Sequence, residues 1–168
     1  MTTPLQLAVA TAVLARRGEG LRPHLLYASR TPGTAALQLH APEPLPPVEL
    51  SVPAYWDRII ASMERVVHSI RGTAHGIARG LRYRMAGKTG TAQVFGIKQD
   101  EEYKQEEVSL RLRDHALFIA FAPVAEPRIA VAVVVENGGS GGGTAAPIAR
   151  RLIDAYLNGE GLAAEQRS

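Results

Sequence analysis

Ala116–Ala122 and Ile129–Val135 are two nearly unbroken apolar runs, and the short segment Pro123–Arg128 separates them. A strand with one face in water alternates apolar and polar residues, and neither run does. The pair therefore predicts an antiparallel hairpin inside a sheet whose two faces are both covered. Helices can supply the cover. The clearest is Tyr55–Ile70, where Trp56, Ile59, Ile60, Met63, Val66, Val67 and Ile70 fall on one face, with Gly72 as the stop. Thr3-Pro4-Leu5-Gln6 opens another: Thr3 can cap, Pro4 fits the first turn and Gln6 completes a capping box. Leu5, Ala8, Val9, Ala12 and Val13 continue it, and Gly18 is a plausible end. A last amphipathic helix begins at Pro147, runs through Ile148, Leu152, Ala155 and Tyr156, and ends at Gly159. The fold class predicted is α/β of the α+β type, an antiparallel sheet flanked by helices.

The rest of the chain fits one domain. Residues 1–40 hold the first helix and a short strand within His24–Ser29. Residues 41–53 carry five prolines in thirteen positions and read as a connection, either a linker or a rigid extended segment within the domain. Neither side of it is large enough for a core of its own. Residues 54–84 hold the second helix and an irregular, Gly- and Arg-rich stretch from Thr73 to Arg84. Residues 85–158 hold a polar strand, the hairpin and the last helix, and 159–168 form a tail expected to fray. Lys98–Asp114 has ten charged residues in seventeen and reads as a solvated excursion between strands. Asn137–Gly143 reads as a flexible glycine-rich turn.

Composition excludes several classes. Cys is absent, so disulfides and thiolate metal sites are out. Sixteen Arg and three Lys give a net charge of only +3, and the Arg pairs at 16–17 and 150–151 sit near expected helix ends, where cations suit the helix dipole. No basic stripe is interleaved with aromatics, which argues against a nucleic-acid partner. No run of 18 apolar residues predicts a membrane-spanning helix, and the N-terminus lacks a signal-peptide pattern.

The chemistry-bearing segment is Met85-Ala-Gly-Lys-Thr-Gly-Thr-Ala-Gln-Val-Phe95. Its strand is expected to continue through Ala92–Phe95. Side chains alternate along a strand, so Thr89 and Thr91 share a face and their hydroxyls can converge on one anionic group. Gly90 points the other way and lets another backbone come close. Lys88 supplies a compact cation. The Thr91 N–H, if the strand edge is unpaired, can donate to a developing oxyanion. An ordinary exposed strand or turn that happens to hold Lys and Thr is the plainer reading of these four residues alone.

Other motifs lead nowhere. Gly87-Lys88-Thr89 ends like a phosphate loop, but Arg82 stands where the first glycine belongs and a strand, not a helix, should follow. Gly141–Ala146 matches G-x-G-x-x-A, yet no second parallel strand with an acidic residue follows, so it reads as a loop needing positive φ and close packing. The five His residues show no metal-ligand spacing. His115 reads as structural, and His68 and His75 could at most flank the Lys88 segment. No cofactor and no metal are expected.

Several segments, in order, resemble the C-terminal part of class B penicillin-binding proteins. They are Thr3-Pro-Leu-Gln-Leu-Ala8, Met85-Ala-Gly-Lys-Thr-Gly-Thr-Ala-Gln93, Gly96-Ile-Lys98, Arg113-Asp-His-Ala-Leu-Phe-Ile-Ala-Phe-Ala-Pro123, Val133-Val-Val-Glu-Asn-Gly-Gly-Ser-Gly141 and Ala145-Ala-Pro-Ile-Ala149. The Arg-Asp-His and Glu-Asn-Gly-Gly segments resemble the elongation-type members, the penicillin-binding protein 2 group, more than the division type. The resemblance implies the penicillin-binding transpeptidase and serine β-lactamase-like fold. It implies a D,D-transpeptidase that cross-links peptidoglycan stem peptides ending in D-Ala-D-Ala through a Ser acyl-enzyme, with β-lactams acylating the same Ser. By the same likeness Lys88 and the Thr91 N–H are catalytic, the latter as an oxyanion donor, and Thr89, Gly90 and Thr91 bind the substrate carboxylate. Elongation-machinery proteins become expected partners, with the parent in the cytoplasmic membrane and its catalytic domain in the periplasm.

Two of the family's three motifs, S-x-x-K and S-x-N, do not occur in the chain. Tyr156-Leu-Asn158 has a related shape but follows Lys-Thr-Gly, whereas the family places its counterpart before. The expectation is a C-terminal fragment of one transpeptidase domain, inactive alone, with its nucleophile elsewhere in the same protein. Such a fragment should expose apolar surface on strands 116–122 and 129–135, leave a sheet edge open and self-associate. The rival reading is a non-catalytic module that holds stem-peptide carboxylates on Lys88, Thr89 and Thr91. A third is a β-lactamase-like hydrolase with Ser140 as nucleophile.

Overall fold

The structure, a computed structural model, describes residues 2–93 and 113–159. The expected strand continuation at Val94–Phe95, most of the charged stretch from Lys98 and the tail from residue 160 lie outside the described residues. The elements are α1 (Pro4–Ala15), β1 (Ala28–Arg30), β2 (Leu37–Leu39), α2 (Ala54–His68), β3 (Ala86–Ala92), β4 (His115–Ala122), β5 (Ile129–Val135) and α3 (Ala146–Leu157). A 3-10 turn spans His75–Ile77, and a π turn, Gly141–Ala145, leads into α3. No helix among the described residues is long and apolar enough to cross a membrane.

The two apolar runs pair as expected. β4 is the centre of an antiparallel sheet ordered β3-β4-β5, and β1 and β2 form a separate small hairpin. Pairing sets Phe118 opposite Thr89 on one side and Val133 on the other. Directly paired residues share a face, which divides the sheet cleanly. One face carries Ala116, Phe118, Ala120 and Val131 and packs on Ala146, Ala149 and Ile153 of α3. The other carries Ile119, Phe121 and Ala130 and meets Leu14 and Ala15 of α1 and Ile60 and Met63 of α2. Phe118 and Phe121, on opposite faces, are both fully buried. Each such side chain stabilises the fold by about 1.5–3 kcal/mol.

Helix α1 starts with the capping box read from the sequence. Thr3 Oγ1 accepts from the Gln6 N–H at 3.2 Å, and Gln6 Oε1 accepts from the Thr3 N–H at 2.8 Å. It ends where Arg17 (φ 53°) and Gly18 (φ 104°) turn left-handed. Gly18 also carries the proline-rich segment, since a Cβ there would lie 2.2 Å from the Val48 carbonyl oxygen. Hydrogen bonds from Arg22 to Glu43, Leu45 to Gly20 and Val48 to Gly18 lay that segment along residues 18–22.

Four expectations need adjusting. The first short strand is Ala28–Arg30, and its partner Leu37–Leu39 was not anticipated. Helix α2 stops at His68, because Ser69 adopts extended backbone (ψ 142°), and Ile70 is left 80% exposed. The glycine run is a π turn, and the positive φ values fall before it, at Asn137 and Gly139. Apolar exposure is slight on the sheet, where Val134 at 37% is the main case. It gathers instead around the small hairpin, at Leu25, Leu26, Tyr27, Leu37 and Leu39. The outer edges of β3 and β5 have no strand beside them among the described residues.

Candidate active site along the free edge of β3

The register assigns each motif side chain to a face. Lys88 lies opposite Ile119 and so shares the α2 side of the sheet. Thr89 and Thr91 lie opposite Phe118 and Ala116 and share the α3 side, as strand alternation predicts. The free edge runs between them. Lys88 and Thr91 are exposed and Thr89 is half-buried. Lys88 Nζ donates to the Thr89 carbonyl oxygen at 2.7 Å, which holds the ammonium against its own strand. Lys88 also lines two adjoining clefts between β3 and α2, of about 290 and 370 Å³.

Thr89 has a partner that sequence reasoning missed. Its hydroxyl lies 2.9 Å from the hydroxyl of Thr73. Thr73 follows a tight reversal at the end of α2, fixed by bonds from the Gly72 N–H to Ser69 O (2.8 Å) and from the Ala74 N–H to Val66 O (3.0 Å). Nothing in the local sequence marks Thr73, because the contact spans sixteen residues and depends on how that reversal docks.

The glycine turn presses on the same place. A Cβ at Gly141 would lie 2.4 Å from both the Gly90 and Leu117 carbonyl oxygens, and one at Gly142 would lie 2.2 Å from Thr73 O. Only glycine allows these approaches. At Gly90 itself a Cβ would meet the Leu117 side chain at 3.2 Å and no backbone atom nearer than 4.0 Å, so the close approach expected there is made at Gly141 instead. Ser140 serves the turn itself: its hydroxyl accepts from the Gly143 N–H at 3.2 Å. No Lys or His is bonded to Ser140 among the described residues, so the structure offers the Ser140 hydrolase reading no base.

His68 and His115 are structural in their contacts. His68 Nε2 accepts from the Met85 N–H at 3.0 Å, just ahead of β3. Partial burial, helped by nearby Arg84, holds its pKa below the ordinary imidazole value. His115 Nδ1 accepts from the Asn137 N–H at 2.9 Å. The segment leading into β3 is tied to α3 by Asp154, which accepts from Tyr83 Oη at 2.8 Å and from Arg150 Nε at 2.7 Å. Arg150 reaches on to the Ile77 and Arg79 carbonyls. Burial and the Asp154 carboxylate push the Tyr83 hydroxyl well above its ordinary range. Among the described residues no three His, Asp or Glu side chains gather as a metal site.

Residues 1–154 match the penicillin-binding protein transpeptidase domain family. The chain is 39% identical over 156 residues to the peptidoglycan D,D-transpeptidase MrdA of Haemophilus influenzae, covering 93% of this chain and 24% of that protein. Among solved structures, Pseudomonas aeruginosa PBP2 in complex with WCK 5153 superposes with a TM-score of 0.72 at 44% identity, covering 93% of this chain and 30% of that one. The penicillin G acyl-enzyme complex of penicillin-binding protein A from M. tuberculosis superposes with a TM-score of 0.65 at 31% identity, covering 93% and 32%. The chain thus spans about a quarter of the length of the curated relatives it matches.

Proposed function

The chain belongs to the penicillin-binding protein transpeptidase family, and from that membership we propose that it supplies the Lys-Thr-Gly side of a peptidoglycan D,D-transpeptidase site of the elongation type. In this reading a Ser from elsewhere in the same protein attacks the carbonyl of the D-Ala-D-Ala peptide bond. The Thr91 N–H donates to the oxyanion of the tetrahedral intermediate. Thr89 and Thr91 hydroxyls hold the terminal carboxylate, Gly90 keeps the strand slim enough for the substrate to lie beside it, and Lys88 adds positive potential. The terminal D-Ala leaves, and the acyl group passes from Ser to an amine of a neighbouring stem. β-Lactams would acylate the same Ser. The working protein would sit in the cytoplasmic membrane with this domain in the periplasm, among proteins of the elongation machinery.

One observation carries the reading: the Lys-Thr-Gly-Thr strand lies at a sheet edge with no strand beside it among the described residues, pinned from behind by the glycine turn and from the side by Thr73. A substrate can add along that edge as an extra strand.

The test is intact mass after incubation with penicillin G. The 168-residue chain should gain no adduct, and the longer protein containing it should gain one drug molecule. Lys88→Gln in the longer protein should slow acylation by about 10²-fold, the order seen when an electrostatic contribution to acyl transfer is removed. An adduct on the 168-residue chain would place the nucleophile within it and overturn the assignment. A longer protein that binds D-Ala-D-Ala peptides but never forms an adduct would make this a binding module.

A further inference from the structure

The hydroxyls of Thr73 and Thr89 lie 2.9 Å apart, and either can be the donor. Thr73 is exposed and Thr89 half-buried, so both are open to a ligand at the β3 edge. The chemistry of a hydroxyl fixes the direction of their bond once a carboxylate arrives. A Thr hydroxyl has one proton and two lone pairs, whereas a carboxylate only accepts. When Thr89 gives its proton to the carboxylate, it has none left for Thr73. Thr73 must then donate to Thr89 Oγ1.

Both ends of this contact are held in place. On one side of Thr73, Gly72 and Ala74 donate to the Ser69 and Val66 carbonyls. A Cβ on Gly72 would lie 2.2 Å from Val66 O, so the reversal needs glycine. On the other side, a Cβ on Gly142 would lie 2.2 Å from Thr73 O and 3.6 Å from Thr89 Cγ2. Gly142 therefore sits against the Thr73 carbonyl and the Thr89 methyl at once. A β-branched side chain is already stiff at χ1. With Cγ2 beside the glycine turn and Oγ1 bonded to Thr73, the Thr89 rotamer is held at two points.

We propose that Thr73 is a positioning residue for Thr89: its hydroxyl donates to Thr89 Oγ1 and so aims the Thr89 proton outward, at the carboxylate of a stem peptide or a penicillin. The assignment rests on the function proposed above and adds a residue to it. Thr73 acts through Thr89 and does not itself touch the ligand. It occupies a Thr89 lone pair, which leaves outward donation as the use of the proton. It also polarises the Thr89 O–H, since hydrogen bonds in a chain strengthen one another.

The experiment is a double-mutant cycle on the longer protein that contains this chain, read as the second-order rate constant of acylation by penicillin G. Thr73→Val keeps the shape and removes the donor. It should slow acylation about threefold to tenfold, the effect of one net hydrogen bond. Thr73→Ser keeps the hydroxyl and should keep most of the rate. Thr89→Val should slow acylation at least as much as Thr73→Val. Adding Thr73→Val to Thr89→Val should change nothing further, because the residue it acts through is gone. Penicillin G methyl ester, whose carboxylate is masked, should be slowed less by Thr73→Val than penicillin G is. Melting curves check that each variant is folded; where Thr73→Val melts early, Thr73→Ala takes its place. Additive losses in the double variant would mean that Thr73 meets the ligand itself or acts through the fold, and an equal loss with the ester would mean the fold alone. Either result overturns the proposal, as does a Thr73→Ser rate as low as that of Thr73→Val. A slow Thr89→Val beside a Thr73→Val of full rate would overturn it and leave the parent reading standing. If the unaltered longer protein forms no adduct, or Thr89→Val acylates at full rate, the fault lies in the transpeptidase site itself and the positioning role falls with it.

Discussion

Replacing Gly141 by Ala tests the contact on which the β3 edge depends. The added methyl would sit 2.4 Å from the Gly90 and Leu117 carbonyl oxygens and 3.1 Å from the Gly90 nitrogen. Carbon needs about 3.5 Å from such atoms, so the turn and the strand must part by about 1 Å. Gly141 is buried and the atoms it meets are backbone, so no side chain can swing aside. Overpacking of this kind costs about 1–3 kcal/mol. Disturbing one or two ladder hydrogen bonds between β3 and β4 adds about 1 kcal/mol. The expected loss is about 2–4 kcal/mol, a fall in Tm of about 5–15 °C for a protein of this size. Gly143→Ala is the control. Its methyl would meet nothing closer than 3.6 Å, and φ there is not left-handed, so the change should be neutral or raise stability by a few tenths of a kcal/mol, about what removing a glycine gives. Thermal unfolding of both variants by circular dichroism gives the comparison. Equal Tm values would show that the glycine turn does not press on Gly90, and the account of how the edge is pinned would fall. Penicillin acylation of the Gly141→Ala variant in the longer protein should slow even where it remains folded, because the strain is delivered one residue from Thr89 and Thr91.

The remaining predictions concern the supports of the strand. His68 has a folded pKa below its unfolded value of about 6.5, so the unfolded chain takes up the proton first. Its stabilising effect is full above that pH and is lost as pH falls below it; Tm measured downward from pH 7 should show the decline, and His68→Gln should flatten it. Tyr83 has the opposite linkage: its folded pKa lies above the unfolded value of about 10, so stability is full below that pH and declines above it. Tyr83→Phe should cost about 1 kcal/mol at pH 7 by losing the bond to Asp154, and should remove part of the alkaline decline in a Tm series. Thr3→Ala should cost about 1 kcal/mol through the lost cap of α1, read as a lower denaturant midpoint with an unchanged slope.

What was legible in the chain was what short spacing decides. The two apolar runs announced a sheet covered on both faces, and Phe118 and Phe121 sit on those opposite faces. Thr3 and Gln6 announced a capping box that forms with both bonds. The shared face of Thr89 and Thr91 followed from strand alternation alone. What failed was decided by tertiary contacts or by a weak local signal. Leu37–Leu39 is a three-residue strand, too short for its pattern to show, although Pro32-Gly33 is a turn signal between it and β1. Helix α2 ends before its apolar pattern does, because the backbone turns extended at Ser69. The glycine run needed room more than positive φ, since carbonyls of Gly90, Leu117 and Thr73 crowd it from parts of the chain far away in sequence. Thr73 was invisible as a partner of Thr89 for the same reason. Their contact exists only once the reversal after α2 lies beside β3.

The division of β3 between its two faces means that the proposed site draws on both layers of the domain. Thr89 and Thr91 belong to the face buttressed by the glycine turn and α3, which is tied in turn to the entry of β3 through Asp154, Tyr83 and Arg150. Lys88 belongs to the face shared with α2, where the clefts lie. A peptide along the edge would meet hydroxyls from one layer and positive charge from the other, with the backbone N–H groups between them. Thr73 bridges the layers, since it follows α2 yet bonds Thr89. In the function proposed above, damage on the α3 side should loosen the proposed grip on the terminal carboxylate and lower the acylation rate of the longer protein. In the same reading, loss of Lys88 on the α2 side should remove positive potential while leaving both hydroxyls in place. That contrast follows from the register of one strand, because a shift by a single residue would exchange the faces of Lys88 and Thr89.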